Sequence, residues 1–253
     1  MISKIPHLTF IKITMQNIFS RASLNKITLL LFSVAAISFT GCQDDEFVAP
    51  DPVPASYVSF YHGSPDAPDL DIQLENQVIN SQAFKYAAYS GYLTLTPGER
   101  NIKFTPVNAA NAFIDSILTF EKDKVYSLFA VNKQQNMELL VIQDSVKTPA
   151  TGKAGLRIIH LSPDAPAIDI SSTGATGTSL ATNLNFKGYT EFLELASGKY
   201  TLQAKAAGTG DVLLTAADLQ LEEGKTYSLL IRGLATPPTG NTNGLSAQLV
   251  RNY

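Results

Sequence analysis

Tryptophan is absent from this chain of 253 residues, and cysteine occurs once, at Cys42. Without Trp the sequence lacks the broadest side chain for stacking on a flat ligand. With a single Cys it can close no internal disulfide, whatever the redox compartment. Clusters of Lys and Arg are missing as well. A nucleic-acid partner would need such a patch, because neutralised phosphates supply most of that affinity, so nucleic acid is excluded as a partner. G-x-S-x-G and H-E-x-x-H do not occur, and there is no nucleophilic Cys. The glycine-rich stretches Gly174–Gly177 and Gly208–Gly210 lack the strand–loop–helix setting of phosphate sites. No stretch keeps a helical period beyond a turn or two.

The N-terminus has a character of its own. Residues 1–41 hold Lys4, Lys12, Arg21 and Lys26 and no acid, followed by the apolar run Ile27–Phe39 and a small-residue exit at Gly41. A basic region, a short apolar core and small residues make a secretory signal too short to span a membrane comfortably. Met1 and Met15 are both plausible starts. Cys42 falls where this signal ends, with no core in which to be buried. "FTGC", Phe39–Cys42, resembles the bacterial lipobox, with Phe39 where Leu is common. That resemblance implies a lipidated Cys42 as the new N-terminus. Gln43, Asp44, Asp45 and Glu46 resemble the acidic export signal of Bacteroidetes lipoproteins, which implies an outer-membrane lipoprotein facing the exterior. Acyl chains, each methylene contributing about 0.8 kcal/mol, would make that anchor effectively permanent. The chain from Cys42 onward keeps fifteen basic and twenty-two acidic residues, a net charge of −7.

A second feature is internal duplication. "HGSPDAPDLDI" from His62 recurs as "HLSPDAPAIDI" from His160, 98 residues later. Tyr89, Tyr92, Leu93, Leu95 and Gly98 recur as Tyr189, Phe192, Leu193, Leu195 and Gly198, and "KVYSL" at Lys124 recurs as "KTYSL" at Lys225. An offset drifting only from 98 to 101 marks whole-domain duplication rather than a short solenoid repeat.

Within each copy, short runs of period two alternate with Gly, Pro, Asn and Asp. About seven strands per copy predict an all-β protein of two tandem antiparallel β-sandwiches, immunoglobulin-like or transthyretin-like, with a barrel as the alternative. The expected division is a signal peptide at 1–41, a lipidated Pro-rich acidic tether at 42–56, one sandwich at 57–145, a linker at 146–154 and a second sandwich at 155–253.

The H-x-S-P-D-A-P motif, followed by an apolar–Asp–apolar strand, resembles an exported bacterial family known as domain of unknown function 4397. The resemblance covers the chain from the tether onward as two copies, and implies export without implying an activity. Physically, Ser64-Pro65-Asp66-Ala67 and Ser162-Pro163-Asp164-Ala165 have the makings of type I turns, with each Asp free to bond nearby backbone amides. Pro68 and Pro166 hold the preceding Ala extended, so a strand follows. Asp71 and Asp169 alternate away from their apolar neighbours.

His62 and His160 each open a motif. With Asp66 or Asp164 they suit a metal site, an acid/base pair or a hydrogen-bonded strut. Too few ligands stand near either His for a metal, and a calcium set of Asp66, Asp69 and Asp71 fails in the second copy at Ala167, so no metal or cofactor is expected. The strut is favoured: a half-buried His bonded to a turn carbonyl or Asp. Tyr86, Tyr89 and Tyr92 suit sheet packing or an interface better than sugar stacking. "DSI" at Asp115 and "DSV" at Asp144 resemble the Bacteroidetes O-glycosylation motif, and the second, at the joint, is expected to be the exposed one. The functional expectation is a non-enzymatic surface lipoprotein serving adhesion, ligand binding or envelope assembly, with the membrane and a protein or glycan ligand as partners. The alternative is a hydrolytic or metal-dependent envelope enzyme using His62/Asp66 or His160/Asp164.

Overall fold

Strands dominate the computed structural model, which describes residues 53–145, 147–173 and 177–252. Cys42, Gln43, Asp44, Asp45 and Glu46, with the rest of the expected signal and most of the tether, lie outside the described residues. The first half contains β1 (Ser56–His62), β2 (Leu70–Leu74), β3 (Gln77–Val78), β4 (Tyr89–Leu95), β5 (Gly98–Pro106), β6 (Ile114–Phe120), β7 (Val125–Val131) and β8 (Glu138–Gln143). The second contains β9 (Lys153–His160), β10 (Ile168–Ser172), β11 (Ser179–Leu184), β12 (Leu193–Ala196), β13 (Gly198–Ala206), β14 (Val212–Leu221), β15 (Thr226–Arg232) and β16 (Ser246–Arg251). Each half thus has eight strands where about seven were expected.

Each half is a pair of four-stranded sheets. In the first, an inner sheet β4-β1-β7-β8 faces an outer sheet β3-β2-β5-β6; in the second, β12-β9-β15-β16 faces β11-β10-β13-β14. Alternation explains the outer strands. In "LDIQL" Leu70 and Ile72 are buried while Asp71 and Gln73 lie on the other face, and Ile168 and Ile170 repeat this in β10. These side chains meet Val58, Phe60, Phe104 and Leu128 in one core, and Leu156, Ile158, Leu202 and Leu229 in the other. Each such side chain, fully buried, contributes about 1.5–3 kcal/mol.

The inner sheets depart from pure antiparallel pairing. β1 runs parallel to β7 from Tyr57↔Val125 to His62↔Ala130, and β9 runs parallel to β15 in the same way. Parallel neighbours need a long crossover, and here the outer sheet lies between them in the chain.

The inner strands are also buried on both faces, which is why "VYSLFAV" and "TYSLLIR" read as continuous rather than alternating runs. Their second faces meet each other. Tyr61, Phe129, Val131 and Ile142 of the first half pack with Ile159, Leu161, Leu230 and Val250 of the second in a third core. Tyr61 and Ile159, Phe129 and Leu230, and Ile142 and Val250 hold equivalent positions in the two copies. The seam is therefore isologous in kind, the same face of each copy used twice.

Candidate functional site

The motif lies where β1 or β9 leaves the inner sheet and crosses to β2 or β10. His62 and His160 are both fully buried rather than half-buried. Tyr61 and Ile159, one residue earlier, face the seam core, so the end of each strand is covered from both sides. The amides of Ser64 and Ser162 approach Nδ1 of His62 and His160 at 3.4 and 3.3 Å, and Nε2 of each ring lies 3.1 Å from the carbonyl oxygen of Pro68 or Pro166. An acceptor at Nδ1 and a donor at Nε2 describe one neutral tautomer, used twice to pin the motif loop to its own start. Burial lowers the pKa of both rings from 6.5, opposed by the carbonyl bonds to Pro68 and Pro166 and, for His62, by the charge of Asp69. The His62 ring is further held by Phe84, stacked at 6.4 Å, and by the edge of Tyr86 at 6.0 Å.

The motif aspartates reach farther than a local turn. Asp66 Oδ1 accepts from the amide of Gln134 at 2.8 Å, 68 residues away. Asp164 accepts from Ala235 at 2.8 Å through Oδ1 and from Thr236 at 3.2 Å through Oδ2. The expectation of nearby backbone partners is thus corrected: each Asp fastens the loop that follows the central inner strand. Serine provides little chemistry. Ser64 Oγ is buried without a partner among the described residues, and Ser162 Oγ lies 3.5 Å from Asp164 Oδ1. Pro65 is buried because the second half covers it, its carbonyl accepting from Asn241 and Asn243 Nδ2 at 3.1 and 2.7 Å. Pro163, Pro68 and Pro166 remain partly or fully exposed. Asp71 accepts from the Asn108 amide at 2.9 Å, and Asp169 from the Asn183 amide at 2.7 Å, both on the outer face. The motif carboxylates therefore diverge. Among the described residues no three His, Cys, Asp or Glu side chains gather closely enough to hold a metal ion.

Sequence reasoning missed a polar network in the seam. Arg157 is fully buried, its Nη1 at 2.5 Å from Asp144 Oδ1, its Nε on Ser228 Oγ at 2.7 Å and its Nη2 on Ser127 Oγ at 2.9 Å. Tyr92 and Ser127 donate to Asp144 Oδ2 at 2.6 and 2.7 Å, and Phe192 lies 4.8 Å from the guanidinium carbon. Asn252 joins through Ser228 and Tyr92. A signal was available: Arg157 stands in a strand where the first copy has Ser59. Asp144 is thereby buried, while the next residue, Ser145, is exposed and Val146 lies outside the described residues; in "DSI" on β6, Asp115 and Ile117 are open to solvent and Ser116 is half-buried. Tyr86, Tyr89 and Tyr92 all serve the seam. Tyr86 meets Arg232, while Tyr89 and Tyr92 stand edge to face at 6.4 Å.

The first half also carries an open groove of about 370 Å³ between the β2–β3 edge and β4. Phe60, Ile72 and Phe84 form its floor, with Asn80, Gln82 and Leu93 among the residues at its sides. Asn80 creates it. Its Oδ1 accepts from the Ile72 amide at 2.6 Å, and its Nδ2 donates to the carbonyls of Gln82 at 2.8 Å and Leu70 at 3.4 Å, so one side chain replaces a stretch of edge strand. In the second copy the longer strand β11 pairs so that Leu180, buried in the second core, matches Ile79 and Ala181 matches Asn80.

Similarity to solved structures is low. The carbohydrate-binding CBMbc (family CBM26) from Eubacterium rectale Amy13K, in complex with maltoheptaose, aligns at 12% identity over 79% of this chain and 97% of that one, with a TM-score of 0.26. An alpha-glucan-binding streptococcal virulence factor aligns at 12% over 69% and 93%, with a TM-score of 0.24. The Bacillus anthracis TIE protein aligns at 12% over 71% of this chain and 34% of that one, with a TM-score of 0.22. No curated protein matches the chain. The model of one family matches twice, over residues 56–171 and 173–250, so the chain belongs to the family described as Domain of unknown function (DUF4397).

Proposed function

We propose that this is a non-catalytic binding protein, anchored by lipid at Cys42 on the outer face of the outer membrane, with its ligand site in the groove of the first half. The observation that carries the binding reading is that groove: beside the Asn80 side chain, which stands in for edge strand, about 370 Å³ lies open over the first core, within the range of ligand pockets. The motif supports the absence of catalysis. Both imidazoles are buried, and the bonds of His62 and His160 to carbonyls and amides leave neither ring nitrogen facing a substrate. The anchor rests on the "FTGC" and "QDDE" sequence patterns.

Two measurements test this. A photoreactive residue in place of Gln82, activated on intact cells, is expected to capture a ligand, whereas the same residue in place of the exposed Ile117 captures none. Equal labelling from both positions would overturn the groove as the site. Protease added to intact cells is expected to digest the protein, and Cys42→Ala to release it from the membrane fraction.

A further inference from the structure

Resting on that reading of the groove, we propose that its ligand is an uncharged saccharide. Three observations set the chemistry. First, none of the residues lining the groove carries a charge, although the chain as a whole is acidic. A charged ligand would be desolvated there without a counter-charge, which is costly. Second, the groove is two-sided in character. Ile79, Ala88 and Leu93 present half-exposed apolar surface, while the Ser81 hydroxyl and the Gln82 amide make no bond within the protein among the described residues. A pyranose has the same two characters, with apolar C–H faces and a rim of hydroxyls that both donate and accept. An amide and a hydroxyl match that rim because each also does both.

Third, the main chain on the β2 side of the groove is already closed. Asn80 occupies the Ile72 amide and the Leu70 carbonyl, and Ser90 Oγ accepts from the Phe60 amide at 2.8 Å. A peptide adding itself as a strand binds mainly through free main-chain groups of a sheet edge, and those of Leu70 and Ile72 on the β2 side are taken. The ligand is therefore read by side chains. In the second half the strand pairing places Ala181, which has no side-chain amide, at the position of Asn80.

The test is an array of neutral gluco-, manno-, galacto- and xylo-oligosaccharides printed beside uronate-containing ones, probed with the full chain in detergent and followed by calorimetry on the series bound. At least one neutral series is expected to bind, with uronate oligomers at least tenfold weaker. Asn80→Leu, which replaces the amide bonded to Ile72 and Gln82 by an apolar side chain, is expected to abolish binding. Should that variant fail to fold, the double variant Ser81→Ala/Gln82→Ala alters only the exposed mouth and is expected to weaken binding at least tenfold. Binding unchanged in the folded variants overturns the assignment, as does a preference for uronates or no binding to any neutral series. The cell-surface capture from position 82 separates the two levels: a captured protein overturns the saccharide and leaves the binding site standing, and no capture at all overturns both.

Discussion

Arg157 Nη1 lies 2.5 Å from Asp144 Oδ1 across the seam between the two halves, and both side chains are buried. Removing one partner of such a pair leaves a buried charge uncompensated, which costs about 3–5 kcal/mol. Arg157→Ala is expected to lower unfolding stability by that amount, read from urea denaturation. Arg157→Met/Asp144→Leu together should lose much less than the sum of the single changes, because no stranded charge remains. Simple additivity would mean that the pair is not coupled.

Acid should weaken the fold through the two motif histidines. Burial lowers both pKa values from 6.5. As pH falls, the unfolded chain takes up these protons first, so stability is full above about pH 6.5 and declines below it toward the folded values. Thermal melts between pH 7 and about pH 5, above the carboxylate range, read this window. His62→Gln and His160→Gln should each flatten the slope, and the double variant more than either.

The motif aspartates are unequal struts. Asp164 holds two distant amides and Asp66 one. Each hydrogen bond from an amide to a carboxylate contributes about 1.5–3 kcal/mol. Asp164→Ala should therefore destabilise more than Asp66→Ala in the same denaturant series, and the reverse order would contradict the assignment of these bonds.

Gly233 follows β15 with φ +89°, and a Cβ there would lie 2.1 Å from the Gly244 carbonyl oxygen. Backbone cannot step aside as a flexible side chain can. Gly233→Ala is expected to cost more than about 2 kcal/mol, whereas Gly208→Ala, whose Cβ meets nothing within 4 Å, should cost only the strain of its positive φ.

The outer strands were legible because only one face of each is buried: Leu70 and Ile72 announce β2 by alternation. The inner strands were legible as strands but not as a seam. A run such as "TYSLLIR" has the same appearance whether its second face meets another domain or the opposite sheet of its own. Two residues alone signalled the seam, Arg157 in a buried strand and Asp144 at a presumed joint, and their pairing depends on contacts that no local pattern encodes. His62 shares the face of Val58 and Phe60, but its complete burial comes from Phe84 and Tyr86, far along the chain. The groove was illegible for a related reason. Asn80 looks like an ordinary turn residue until its amide is found standing in for a strand.

The isologous seam has a consequence for dilution. Two separate copies of such a domain would pair only as far as their concentration allowed, and released into the surrounding medium they would come apart. Joined through the short segment between Gln143 and Lys153, the two faces meet at an effective concentration in the millimolar range that no dilution can lower. Duplication has turned a concentration-dependent association into a unimolecular one.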